Sequence, residues 1–225
     1  MSAILPGIPT FRGPNYFVPD MKYSADVSEN GMVRVDLGVY VTVDADGILD
    51  GQSINAAGST TTFNVLYDDD NMGRYGRTVT VIASGAATST VTVNGFDYLG
   101  QPVTETLTLN GANAVAGVKA FKEVREVEWG ATASVTIDLG WGDRLGLPYR
   151  AVNTAIYNEL ISDAAPTAGA IVAGLARTTT GTATTADPRG LYVPHASFVP
   201  NGTRDYTFSY FADVEALHGT AHYSA

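Results

Sequence analysis

The sequence predicts an all-β fold: an antiparallel β-sandwich or jelly-roll-like core with an extended N-terminal arm. Three observations predict it. Thr is common, at 26 of 225 residues against 3 Lys, and a β-branched residue with a hydroxyl suits a strand face that meets water. Gly 24 and Pro 10 supply frequent turn positions. Several segments alternate apolar and polar residues with a period of two, which places one set on each face of a strand.

Composition also bounds the function. Hydrophobic residues make up 45% of the chain, enough to build a core, while charged residues are only 16%. The net charge is −10 with no basic block, so nucleic acid is not an expected partner, because phosphate contacts need clustered Lys and Arg. There is no Cys, which excludes a disulfide scaffold, a thiolate metal site and a Cys nucleophile. No run approaches the 18 apolar residues of a membrane-spanning helix. The opening "MSAILPGIPTFRGPNYFVPD" lacks a charged region ahead of a long apolar stretch, so it does not read as a secretory signal.

Residues 1–20 form the expected arm. Pro6, Pro9, Pro14 and Pro19 exclude a helix or a central strand there. Such an arm either straps its own domain or reaches a neighbouring subunit, and Phe11, Tyr16 and Phe17 are its candidate interface anchors. Residues 21–225 form the β-rich domain, with a looser part expected from about 151.

Within that domain "MVRVDLGVYVTV" (32–43) predicts a strand with Val33, Val35, Leu37 and Val39 on one face. "TTTFNVLY" (60–67) predicts the next, and "GRTVTVIASG" (76–85) another through Val79 and Val81. The clearest pattern is "VTVNGFDYLGQPVTETLTLNG" (91–111). Val91 and Val93 share a face, as do Val103, Leu107 and Leu109, and Thr90, Thr92, Thr104, Thr106 and Thr108 fill the other. Asp97, Gly100 and Pro102 are turn residues, so this is a hairpin with Tyr98 and Leu99 at an exposed tip.

"AFKEVREVEW" (120–129) fits a helical turn by its spacing of three and a strand by its flanks. "ASVTIDLG" (133–140) alternates again, and "WGDRLGLPYR" (141–150) reads as a turn punctuated by Gly and Pro. "TAIYNELISDA" (154–164) is a candidate short helix, "TTTGTATT" (178–185) a flexible surface loop, and "RDYTFSYFADVEAL" (204–217) a final strand through Tyr206, Phe208 and Tyr210.

Chemistry is sparse. Asp68, Asp69 and Asp70 offer oxygen ligands, but the spacing does not match a twelve-residue calcium loop, and a solvated turn is expected. His218 and His222 are four apart with Gly219 between them and no third ligand nearby, and His195 has no evident partner. Glu123 and Glu126 alternate with Lys122 and Arg125, as on an exposed face. No nucleophile elbow, phosphate loop or dinucleotide fingerprint is present. The expectation is a protein that is not an enzyme, with no catalytic residues, no cofactor and no metal.

Four stretches carry a family resemblance. They are the turn with Gly95, Asp97, Gly100, Gln101 and Pro102; the strand from Glu105 to Gly111; Ala120 to Lys122; and Gly142 to Pro148. Together they cover about residues 76–150, and the segment resembles structural proteins of tailed-bacteriophage virions, nearest to capsid decoration or cement proteins. The resemblance implies a protein made in the bacterial cytoplasm and carried on the capsid exterior. It would bind the major capsid protein, as a homo-oligomer (dimer or trimer), and clamp neighbouring subunits. Similar hairpins occur in tail and fibre proteins, so a tail, baseplate or fibre component contacting virion proteins or host glycans is the alternative.

Overall fold

The computed structural model describes residues 16–19, 30–63 and 69–220. Phe11, Asp68 and His222 lie outside them. The described chain is all-β, with antiparallel sheets in a sandwich-like arrangement. No helix among the described residues is long and apolar enough to cross a membrane.

In chain order the strands are β1 (Tyr16–Pro19), β2 (Asn30–Val39), β3 (Asp44–Ser53), β4 (Gly58–Thr60), β5 (Arg77–Ala83), β6 (Thr90–Phe96), β7 (Pro102–Thr108) and β8 (Val115–Ala116). They continue with β9 (Glu123–Trp129), β10 (Thr136–Gly146), β11 (Tyr157–Ile161), β12 (Ala170–Ala173), β13 (Gly190–Val193) and β14 (Asp205–Asp213). One helical turn, α1 (Asp69–Met72), precedes β5.

Three sheets result: β1-β2-β14-β11, then β12-β13-β10-β5-β8 with β3 also on β10, and β4-β9-β6-β7. β10 joins the second and largest of these together, because β3, β5 and β13 all pair with it. Two cores flank this sheet. One is aliphatic and gathers Val79, Val81, Val91, Val93, Leu107 and Leu139. The other is aromatic and gathers Tyr40, Tyr192, Tyr206, Phe208 and Tyr210 around Val33, Val35 and Leu37.

The arm enters as a strand on its own chain. β1 lies antiparallel on the edge of β2, with Tyr16 beside Arg34 and Phe17 beside Val33. An edge position suits Pro19, which has no N–H to give a further strand.

The expected hairpin is present as β6 and β7, in register from Thr90 opposite Thr108 to Phe96 opposite Pro102. Val91, Val93, Val103 and Leu107 are buried as the alternation requires. On the other face the Thr92 and Thr106 hydroxyls hydrogen-bond to each other at 3.0 Å.

Elsewhere irregularities overturn the period-two reading. Val33, Val35 and Leu37 are buried, but Val39 is 49% exposed and Tyr40 is fully buried. Gly38 has φ of 77°, and the pairing of β2 with β14 shifts between Tyr206 and Thr207. An extra residue moves every later side chain to the opposite face, and glycine accepts the left-handed backbone without a β-carbon clash.

The same cause settles 120–129. In β9 both Val124 and Val127 are buried, yet the segment is a strand. Asn94 faces Glu126 while Gly95 faces Val124, so Arg125 is an added residue. A bulge therefore yields the spacing of three that a helix would also produce.

Four further expectations are corrected. "TTTFNVLY" is not a strand in its described part: β4 ends at Thr60 and residues 61–63 form no ladder. "WGDRLGLPYR" is not simply a turn, because β10 runs on to Gly146 with a register shift between Trp141 and Leu145. "TAIYNELISDA" is strand β11, not a helix, with Asn158 at φ 49° where the pairing shifts. "TTTGTATT" is irregular but docked: the Ala183 carbonyl accepts from Thr106 N–H at 2.9 Å, and Gly181 is buried. The residues after 151 supply β11 to β14, and β14 is a central strand running beside β2 from Asp205 opposite Val39 to Asp213 opposite Asn30.

Candidate functional site

The expected contact point at the hairpin tip is half inside the molecule. Asp97 closes the turn with its side chain: one carboxylate oxygen accepts from the N–H groups of Leu99 and Gln101, each at 2.8 Å. This is the Asx-turn geometry that makes Asp a turn residue. Its other oxygen accepts from the Arg189 guanidinium at 2.8 Å, and neither side chain meets solvent.

Tyr98 is not an exposed tip. Its hydroxyl donates to the Pro148 carbonyl. Its ring packs edge-on against Tyr75 at 5.2 Å and lies under the Arg189 guanidinium at 4.8 Å. Burial pushes the phenol well above its ordinary value. Leu99 alone stays exposed, at 41%. Of the arm anchors, Tyr16 and Phe17 sit in β1, on a different sheet from the hairpin.

Behind the tip runs a buried seam of charge that the alternation alone did not disclose. Glu105 of β7 is 2% exposed and accepts from Val118 N–H at 2.5 Å and Lys119 N–H at 3.3 Å. Lys119 Nζ donates to the carbonyls of Thr104 and Thr182. Asp187 accepts from the N–H groups of Ala120, Arg189 and Gly190. The seam thus stitches the hairpin to the loop after β8 and to the loop before β13.

Its electrostatics follow from burial. Desolvation raises the Glu105 carboxyl to about 7, against the two backbone donors and the Lys119 charge. The same desolvation lowers Lys119. Both partners move toward neutrality, as removal of two charges from water requires. Arg189 also loses by burial, but Asp187 and Asp97 outweigh that loss and hold it charged.

One sequence signal did mark this seam. Glu105 occupies the apolar parity of β7 between Val103 and Leu107. A carboxylate at a core position demands partners. Nothing local pointed to Lys119, Asp187 or Arg189 as those partners.

Two shallow grooves lie among the described residues. One, of about 450 Å³, runs past Gly58, Ser59, Thr90, Thr92, Glu128 and Trp129. The other, of about 370 Å³, lies beside Trp141. Neither presents an aromatic face: Trp129 and Trp141 are 9% and 7% exposed, and their indole N–H groups donate to the Ala56 and Thr42 carbonyls.

Among the described residues no group of three or more His, Cys, Asp or Glu is placed to hold a metal ion. His218 Nδ1 lies 3.3 Å from the Tyr98 hydroxyl. His195 caps a short 3-10 turn by accepting from Ser197 N–H. Glu123 pairs with Arg125 in a largely exposed contact. Compared with protein-family models, with curated proteins and with solved structures, the chain finds no match.

Proposed function

We propose that the protein is a decoration or cement protein of a tailed-bacteriophage capsid, binding the outer shell and clamping neighbouring major capsid subunits. The observation that carries this reading is the use the fold makes of its buried charge. Asp97 with Arg189, and Glu105 with Lys119, tie the hairpin to distant loops. Asp97, Glu105 and Arg189 are all buried and spend their hydrogen bonds on the protein itself. A side-chain network of this kind fixes the mutual position of segments.

Such rigidity suits a clamp. A cement protein spans a joint, and ordering it on binding costs less when its surface is already held in shape. Many weak contacts repeated over a shell then sum to a firm attachment. The resemblance over residues 76–150 supports the same reading, and the edge strand β1 offers main-chain groups of the kind that add to a partner's sheet. The covered Trp129 and Trp141 rings weigh against glycan stacking as the main task.

Copy number in the purified virion tests the reading. A number comparable to that of the major capsid protein, with the protein lost from tails and kept on heads, supports it. A copy number matching the tail or baseplate transfers the protein there. Purified protein should also coat shells assembled without it, and failure to do so would overturn the proposal.

A further inference from the structure

The polar loop 178–186 lies along the edge of a sheet. β7 ends its sheet and pairs with β6 over seven residues without a register shift. A regular edge of this kind leaves one row of main-chain groups without a partner strand. In β7 that row holds the Thr104 carbonyl and the Thr106 N–H, while Pro102, of the same parity, has no N–H to give.

The loop covers this row. The Ala183 carbonyl accepts from Thr106 N–H at 2.9 Å. The buried Lys119 donates through its ammonium to the Thr104 carbonyl, at 2.8 Å, and also to the Thr182 carbonyl. One charge thus bridges strand and loop, and consecutive loop carbonyls stand where a neighbouring strand would stand.

The middle of the loop is otherwise bound to itself. Thr185 Oγ1 donates to the Thr182 carbonyl and accepts from Thr182 N–H, each at 3.0 Å, and Thr185 N–H donates to the same carbonyl at 3.2 Å. Thr178, Thr179, Thr180, Thr182 and Thr184 are exposed, and no residue of 178–186 belongs to either core. So little buried apolar contact marks a segment that can open on its own.

The base of the loop is built differently. Leu175 N–H donates to the Asp187 carbonyl at 3.0 Å, and Asp187 N–H to the Val118 carbonyl at 3.1 Å. The Asp187 carboxylate is buried and accepts from the N–H groups of Ala120, Arg189 and Gly190. Arg177 pairs with the buried Asp213 carboxylate at 3.2 Å. The two ends are therefore pinned together while the middle is lightly held, as in a compact surface loop whose ends meet.

We propose that residues 178–186 act as a strap that opens as a unit over the edge of β7, with its base closed and both cores intact. Opening parts Ala183 from Thr106 and Thr182 from Lys119, and bares the Thr106 N–H. A bare strand edge is where strands of other chains pair, so the strap sets how often β7 is open to them.

Native-state amide exchange of the ¹⁵N-labelled full chain tests this. Thr106 reports the strap, and Leu175 and Asp187 report the base. After correction for intrinsic rates, Thr106 should exchange about tenfold faster than both or more, at a rate that low urea leaves unchanged, because so local an opening exposes little surface. Thr185→Val removes bonds that hold the Thr182 carbonyl and should speed Thr106 roughly fivefold, while Leu175 and Asp187 keep their rates. Lys119→Met removes the bridging ammonium and should raise the urea-independent Thr106 rate about tenfold, a rate that global stability does not enter. Should Lys119→Met fail to fold, Thr185→Val decides alone. A faster Thr106 in either variant supports the strap. Exchange of Thr106 in step with Leu175 and Asp187, or a Thr106 rate unchanged in every folded variant, would overturn it.

Discussion

The two cores of this protein are built on different principles. The aliphatic core beneath β6 and β7 consists mainly of Val, Leu and Ile packed between sheets. The core beneath β2 and β14 packs Tyr and Phe rings against aliphatic side chains such as Val33, Val35 and Leu37, and three of its tyrosine hydroxyls find acceptors. Tyr206 donates to the Phe198 carbonyl and Tyr210 to the Tyr149 carbonyl, each at 2.8 Å. Tyr192 donates to Glu159. An aliphatic core is specified by shape and burial alone. An aromatic core of tyrosines also specifies which backbone carbonyls must face it, so it fixes loop positions as well as packing.

The charged seam is what holds the hairpin of the first region to the C-terminal loops around the second, and breaking it should have the largest effect. Asp97→Ala takes from the buried Arg189 the carboxylate to which it donates, and should cost about 3–5 kcal/mol in urea unfolding. Replacing both residues by apolar ones of similar volume should recover much of that loss. If Asp97→Ala unfolds at the parent's midpoint, the pair does not join the regions.

Next in size is the aliphatic core itself. Leu107→Ala should cost about 3 kcal/mol, from lost burial plus the cavity left behind. Glu105 should contribute a pH dependence of comparable size. Its folded value lies near 7 against an ordinary 4.5, so the folded state holds the proton more tightly. That contribution is fully present below about pH 4.5 and fades as pH rises through about 7, a change of roughly 3 kcal/mol. Melting temperatures from pH 4 to 8 should fall more steeply for the parent than for Glu105→Gln, and parallel curves would remove Glu105 as the cause.

The aromatic core should respond more mildly to loss of a single hydroxyl. Tyr210→Phe keeps the ring but strands the Tyr149 N–H and carbonyl, and should cost about 1–2 kcal/mol. A cost as large as that of Leu107→Ala would mean that the hydroxyls, not the rings, organise this region. Least of all, Thr92→Val on the solvent face of the hairpin should change stability by no more than about 0.5 kcal/mol. Equilibrium unfolding measures both.

Legibility followed the same division. The hairpin could be read because nothing interrupts its alternation: each face of β6 and β7 keeps its parity from Thr90 to Thr108. In β5 Val79 and Val81, and in β14 Tyr206, Phe208 and Tyr210, are buried as the period predicts, although Thr78 and Ser209 of the other parity are buried as well. The misreadings fall where one residue is added. The bulges at Gly38 and Arg125 shift parity, and a spacing of three then looks helical. β11 was missed because a five-residue strand with a left-handed Asn158 has too little alternation to reveal itself.

From the sequence alone come the all-β class, the hairpin over 91–111 with its apolar and Thr faces, the net negative charge and the Asp97 turn, because each depends on composition or on residues close together in the chain. The tertiary structure decided the rest. It paired Asp97 with Arg189 across 92 positions, turned Tyr98 inward, and brought Asp44, Thr80 and Asp143 to one groove. No local pattern encodes such meetings. They arise when strands from separate parts of the chain share a sheet, and a buried charge or hydroxyl then takes the partner that the sheet places beside it.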